Sequence, residues 1–373
     1  MGSCKQSATK TEAVAVVPTT PSTLTAPTAA AQAHFQAYWV APTATDTALT
    51  LQGRAYHLRM QAEMDSTKRL IVSDKVTPKP EDKAQGYEGY FTITLTDSLN
   101  RQVFQRRFRK ADFFQRVGEE IVVPSGAAAP ALMGYSAPLG GLMFTLGFAV
   151  PDTDWGSEVL VLLDLKGNVL HLSDGNDYGG GADCTPAFSD DRRAFLTTSE
   201  ILRAQQRPMP LARPHAELRG AFLLNDTLVV TLYQLGNRQQ VRTPEGNWEE
   251  QFSLSKQQQT APNAFVRHVY TGQIVSQFRY NGYYEEMGYI VPRYYSSTMQ
   301  TLYLLDDRKG LYLVSSKAAK TPLLMPFATM PKFRSPQLST EVRFEQQGAV
   351  KHYAFYVDTL APSRIRYQLL FGG

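Results

Sequence analysis

The chain reads as all-β, a meander of antiparallel hairpins, and three observations predict this. Hydrophobic periodicity is two rather than 3.6: Phe91, Ile93 and Leu95 alternate with Thr92, Thr94 and Thr96, so one face of an extended segment is apolar and the other hydroxylic. Continuous apolar runs at residues 159–163, 228–232 and 302–305 have the length of strands covered on both faces. Turn chemistry separates such runs at hairpin spacing. Asp164-Leu165-Lys166-Gly167-Asn168 precedes Val169-Leu170-His171-Leu172, and Asp306-Asp307-Arg308-Lys309-Gly310 precedes a run from Leu311 to Val314.

The elements follow in order. Residues 5–33 hold no aromatic residue, few charges and prolines at Pro18, Pro21 and Pro27. Such a run cannot bury enough apolar surface to offset the entropy of ordering it, so residues 1–33 are expected to be a disordered tether with a span on the order of 30 Å. Residues 91–96 form the first clear strand. Gly126-Ala127-Ala128-Ala129-Pro130-Ala131 suggests a linker, as does the glycine-rich stretch 174–181. Helix is scarce: Ser189 could cap a short one, which Thr197 and Thr198 would interrupt. Residues 236–263, rich in Gln and Asn, suggest an exposed excursion of hairpin character. Val342 with Phe344, then Ile365, Tyr367 and Leu369, repeat the strand alternation towards the C-terminus.

Two resemblances add to this. Met1-Gly2-Ser3-Cys4 resembles the lipobox of bacterial lipoproteins, with Gly2 and Ser3 at its small positions and Met1 where leucine is commoner. The resemblance implies that Cys4 is acylated, and hence an address in the bacterial cell envelope, periplasm or cell surface, with the membrane held through that lipid. Asp164 to Leu172 resembles the aspartate-turn-glycine hairpin of β-propeller repeats. Thr185-Pro186-Ala187-Phe188-Ser189-Asp190-Asp191 with Arg192-Arg193-Ala194-Phe195 resembles the blade opening of the TolB-like class. This implies a β-propeller-like body; two packed β-sandwich domains are the alternative, since no repeat of 40–50 residues runs through the whole chain. The expected division is a tether at 1–33, an N-terminal β domain at 34–178 and a C-terminal β domain at 179–373, or a single propeller-like body over 34–373.

Composition bounds the rest. With 373 residues, 43 % of them hydrophobic, the chain can bury a large core. A net charge of +4 is too small to imply a nucleic-acid partner, and no apolar run is long enough for a membrane-spanning helix. With Cys4 acylated, Cys184 has no disulfide partner and is expected to be a buried small hydrophobe. Arg106, Arg107, Arg109 and Lys110, interleaved with Phe104 and Phe108, read as the solvated face of a strand.

Candidate sites are few. The six histidines are scattered outside any zinc spacing, and Gly134-Tyr135-Ser136-Ala137-Pro138 has proline where a nucleophile elbow needs glycine. Asp174-Gly175-Asn176-Asp177-Tyr178-Gly179 begins like a calcium loop but fails at its fifth position. No catalytic residue, metal ligand or cofactor is assigned. Tyr280, Tyr283, Tyr284, Tyr289, Tyr294 and Tyr295 form the densest aromatic group, and such side chains suit a protein or glycan partner. The function expected is a lipid-tethered, non-enzymatic binding or scaffolding protein of the envelope. The alternative is a glycosidase-like hydrolase using acids such as Glu285 or Asp154, brought together by folding.

Overall fold

In a computed structural model of the chain, the residues described are 40–72, 85–178, 182–242, 248–285 and 288–372. Cys4 and the predicted tether lie outside them. The described residues fall within one compact unit.

Strands follow one another as antiparallel meanders. The first sheet is β1 (Thr43–Leu51), β2 (Arg54–Ile71), β3 (Gln85–Asp97) and β4 (Gln102–Arg109), in that order. The second holds β5 (Gly126–Ala127), β6 (Ala131–Ser136), β7 (Gly141–Ala149), β8 (Gly156–Leu163) and β9 (Val169–Tyr178). After β10 (Asp183–Cys184), the third sheet is β11 (Ala187–Phe188), β12 (Ala194–Leu196), β13 (Glu200–Arg203) and β14 (Gln206–Pro210). The fourth combines β15 (Ala216–Leu223) and β16 (Leu228–Leu235) with two strands met later, and β10 joins its edge by a parallel pairing.

A hairpin of β17 (Asn237–Arg242) and β18 (Trp248–Ser253) stands apart, followed by a single helical turn at Lys256–Thr260. The hairpin character expected of residues 236–263 is present, while Asn263 at the end of that stretch is buried. The fourth sheet is completed by β19 (Ala264–His268) and β20 (Ile274–Phe278). A short hairpin, β21 (Tyr283–Glu285) with β22 (Gly288–Ile290), leads to the fifth sheet of β23 (Arg293–Ser296), β24 (Thr301–Asp306), β25 (Gly310–Ser315) and β26 (Leu323–Pro326). The sixth is β27 (Glu341–Gln347), β28 (Lys351–Asp358) and β29 (Ile365–Gly372).

The side-chain period of two explains how these sheets stack. In β8, Val159, Val161 and Leu163 join a core shared with the first sheet, while Leu160 and Leu162 join Phe195 and Leu202 of the third. In β16, Val229 packs with Leu196 and Ile201 of the third sheet, while Val230 and Leu232 meet Leu302 and Leu304 of the fifth. In β24 those two leucines face the fourth sheet, and Tyr303 and Leu305 meet Phe344 and Phe355 of the sixth. The apolar runs seen in the sequence are thus strands whose alternate residues serve two neighbouring cores. Among the described residues, six sheets of largely antiparallel strands, packed face to face in chain order, make an all-β, propeller-like body.

Several local expectations change. Gly126-Ala127 is no linker: it pairs as β5 with β7, and Ala127 is buried. The 174–178 stretch continues β9 instead of forming a loop, with Asp174 opposite Val159 and ion-paired to Arg116. Ser189 caps no helix. Its hydroxyl accepts from the Ala194 amide at 2.9 Å and donates to the Asp191 carboxylate at 2.7 Å, closing the turn between β11 and β12 at the start of the third sheet. Ser136 likewise serves a turn, with its Oγ bonded to the Arg192 carbonyl and the Leu139 amide.

Lys110 departs most from expectation. Arg107 and Arg109 are exposed and paired with Glu63 and Asp112, but Lys110 is fully buried, and its Nζ donates to the carbonyls of Tyr87, Val123 and Ser125. Cys184 is buried as predicted, and burial pushes its thiol up to about 12, so it stays a neutral thiol.

Candidate functional site

The tyrosine-rich segment links the fourth and fifth sheets, and the fold distributes its side chains unequally. Tyr280 is fully buried, with its ring in the core between those sheets and its hydroxyl donating to the Leu305 carbonyl at 3.0 Å. Burial pushes that phenol well above its ordinary value, so it remains a neutral donor. Tyr289 accepts the Gly282 amide at 2.6 Å, and Tyr283 donates to the Gln347 carbonyl at 3.2 Å, reaching the end of β27 at the β27–β28 turn of the sixth sheet. These three line one cleft of about 430 Å³.

The other three do not join them. Tyr294 stacks on Phe344 at 4.1 Å and 11° in the core between the fifth and sixth sheets. Tyr295 is 41 % exposed, bonds the Leu224 carbonyl and lines a separate cleft of about 350 Å³. Tyr284 pairs through its backbone with Tyr289, while its side chain, like that of Glu285, lies outside the described residues. Asp154 stands in an exposed turn before β8.

The polar groups of the cleft come from residues not singled out from sequence. The Asp306 carboxylate is fully buried and accepts the Arg308 and Lys309 amides at 3.2 Å each, so it closes the β24–β25 turn from inside. Its second oxygen takes the Asn281 side-chain amide at 3.1 Å. Gly310 is fixed in this turn: its φ is +140°, and a Cβ there would come within 2.1 Å of the Met325 carbonyl oxygen. Asp306 therefore holds the turn while Asp307 and Arg308 project from it into the cleft. The Asp307 carboxylate accepts the Tyr353 hydroxyl at 2.9 Å. Arg308 is exposed, and its guanidinium has no ion-pair partner among the described residues.

Asn263 ties the floor together. Its side-chain amide donates to the carbonyls of Tyr233 and Tyr280 at 2.9 and 3.0 Å, while its oxygen accepts the Tyr280 amide at 2.9 Å. The result is a concavity of aromatic side chains and fixed amides with the exposed Arg308 at its rim and Arg279, bonded to the Ala261 carbonyl, beside it. That suits recognition of a partner presenting both apolar and polar groups. The buried carboxylate is spent on a turn, and among the described residues no group of three or more His, Cys, Asp or Glu is arranged to hold a metal ion.

Fold and site together define an all-β, propeller-like protein with a tyrosine-walled cleft. No family model and no curated protein matches the chain. Among solved structures it is similar to TolB from Acinetobacter baumannii, at 8 % identity over 88 % of this chain and 79 % of that one, with a TM-score of 0.28. The Dos1 propeller is similar at 11 % identity over 81 % and 71 %, with a TM-score of 0.32. AztD from Citrobacter koseri matches at 14 % identity over 75 % and 68 %, with a TM-score of 0.29. Likeness at this level says nothing about ligand or activity.

Proposed function

We propose that the chain is a non-enzymatic binding protein of the bacterial cell envelope, tethered through a lipid on Cys4, whose β body holds a protein or glycan partner in the tyrosine cleft. The observation that supports this is the convergence of Tyr280, Tyr283 and Tyr289 with the unpaired Arg308 on one concavity. Aromatic faces and arginine contribute disproportionately to binding energy where they are held in place.

The partner is tested with a photo-crosslinking residue at Leu254, an exposed position on the cleft wall, in cells of the native host. A discrete crosslinked species is expected, sensitive to protease or to glycan-cleaving enzymes. Adding Tyr283→Ala and Arg308→Ala should cut its yield about tenfold, corresponding to about 1.4 kcal/mol of affinity, with the melting curve kept. A yield unaffected by that pair would remove the cleft as the site.

The tether is tested separately by metabolic labelling with a palmitate analogue. Label is expected on the wild-type chain and absent from Cys4→Ser, which should also lose membrane fractionation while still giving the crosslink at reduced yield. Equal labelling of both chains would sink the lipid anchor without touching the cleft.

A further inference from the structure

Beyond the turn that carries Asp307 and Arg308 lies a second cavity, of about 520 Å³, which none of the six tyrosines lines. Its floor is aromatic. Phe327 stacks on Tyr353 at 4.9 Å and 17°, and Tyr367 meets Phe327 at 5.2 Å in a tilted contact. These rings come from the residue after β26, from β28 and from β29, with Tyr353 buried and Phe327 and Tyr367 half-buried against it, so three chain segments fix the platform.

The cavity is also cationic. Lys332, Lys351 and Arg308 line it, all exposed, and the side chain of none has a hydrogen-bond or ion-pair partner among the described residues. Asp307 is the one acid in the lining, and its carboxylate already accepts the Tyr353 hydroxyl. One exposed lysine without a partner is ordinary. Three cations facing a concave aromatic platform, with one engaged acid between them, make a local excess of positive potential beside an apolar surface. Neither half explains the other: solvated lysines need no rings beneath them, and a packed ring platform needs no cationic rim.

We infer that this cavity binds a small ligand in which a flat ring is joined to an anionic group, the ring lying against the half-buried Phe327 and Tyr367 that pack on Tyr353, and the anion held by Lys332, Lys351 and Arg308. Flat rings stack on aromatic faces in offset or edge geometry, and long cationic side chains adapt to carboxylate, phosphate or sulfate alike. The site adjoins the tyrosine cleft, with which it shares Asp307 and Arg308, but its rings and both lysines belong to it alone.

Calorimetric titration of the full chain with 1-naphthyl phosphate tests it, with 1-naphthol and inorganic phosphate as separate arms. Naphthyl phosphate should bind at least about tenfold tighter than either half-ligand, and more weakly as salt is raised. Lys332→Gln with Lys351→Gln should weaken it at least about tenfold while leaving 1-naphthol unaffected; a melting curve checks that the double variant folds. Tyr283→Ala should leave the titration unchanged. Absence of binding, equal binding of either half-ligand, or indifference to the lysine pair would overturn the assignment. Loss on Tyr283→Ala alone would overturn it too, by placing the ligand in the neighbouring cleft.

Discussion

Lys110→Met is expected to lower the unfolding free energy by about 3 kcal/mol, read as a reduced urea midpoint at unchanged slope. Methionine fills a similar volume but donates nothing, so the carbonyls of Tyr87, Val123 and Ser125 lose their common partner inside the protein. Each orphaned acceptor costs on the order of 1–3 kcal/mol, offset in part because the ammonium no longer has to be taken out of water. The pH dependence is the sharper signature. Burial pushes the Lys110 ammonium from 10.5 down to about 8, against the opposing pull of Glu88. Below about 8 both folded and unfolded chains carry the proton, and this residue adds no slope. Between about 8 and 10.5 the unfolded chain holds a proton that the folded chain has released, so stability rises with pH, by at most on the order of 1.4 kcal/mol per unit. Urea midpoints at pH 7.5 and 9.5 should show that rise in the wild type relative to the methionine variant. Parallel behaviour of the two chains would mean that Lys110 does not titrate in this window.

Lys110 also shows where sequence reasoning stops. Alternation along β3 was legible, and Phe91, Ile93 and Leu95 are all fully buried, because a period of two in apolar residues is a property of the strand itself. The doubly buried runs in β8, β16 and β24 were legible for the same reason, as were the turns at Asp164 and Asp306. In the sequence Lys110 is indistinguishable from its arginine neighbours, with which it shares a charge and adjacent positions. What separates it is Gly89 on the adjoining strand: a Cβ there would sit 2.6 Å from the lysine Cδ, so the missing side chain makes room for the buried stem. That complementarity lies across strands and leaves no periodic trace. The cleft was half legible likewise. Tyrosine density marked Tyr280, Tyr283 and Tyr289, yet it marked Tyr294 and Tyr295 equally, although Tyr294 packs in a core and Tyr295 lines another cleft. The turn at Asp306 to Gly310 is legible in its residues, but that it faces the tyrosine segment follows from how the fourth and fifth sheets stack.

Asn263→Leu should cost about 3–4 kcal/mol and also disable the cleft, because this one side chain joins stability to the site. It is nearly fully buried and makes three hydrogen bonds at 2.9–3.0 Å, two to carbonyls and one from the Tyr280 amide. Leucine preserves volume and strands all three backbone groups at about 1 kcal/mol or more each. It also releases the backbone of Tyr280, a residue of the cleft lining, so crosslinking from Leu254 should fall along with the urea midpoint. Asn263→Asp separates the polar requirement from packing. The aspartate oxygen that replaces the side-chain nitrogen would face the carbonyls of Tyr233 and Tyr280, acceptor against acceptors. Protonating it restores a donor, so its folded-state pKa must lie above its unfolded value. Such a group regains stability as pH falls through its raised pKa, and the aspartate variant should therefore recover relative to the wild type between pH 7 and pH 4. The leucine variant has no group to protonate at that position and should show no recovery. If the leucine variant stayed within about 1 kcal/mol of the wild type, the three bonds would be a consequence of the fold and not one of the things that hold it.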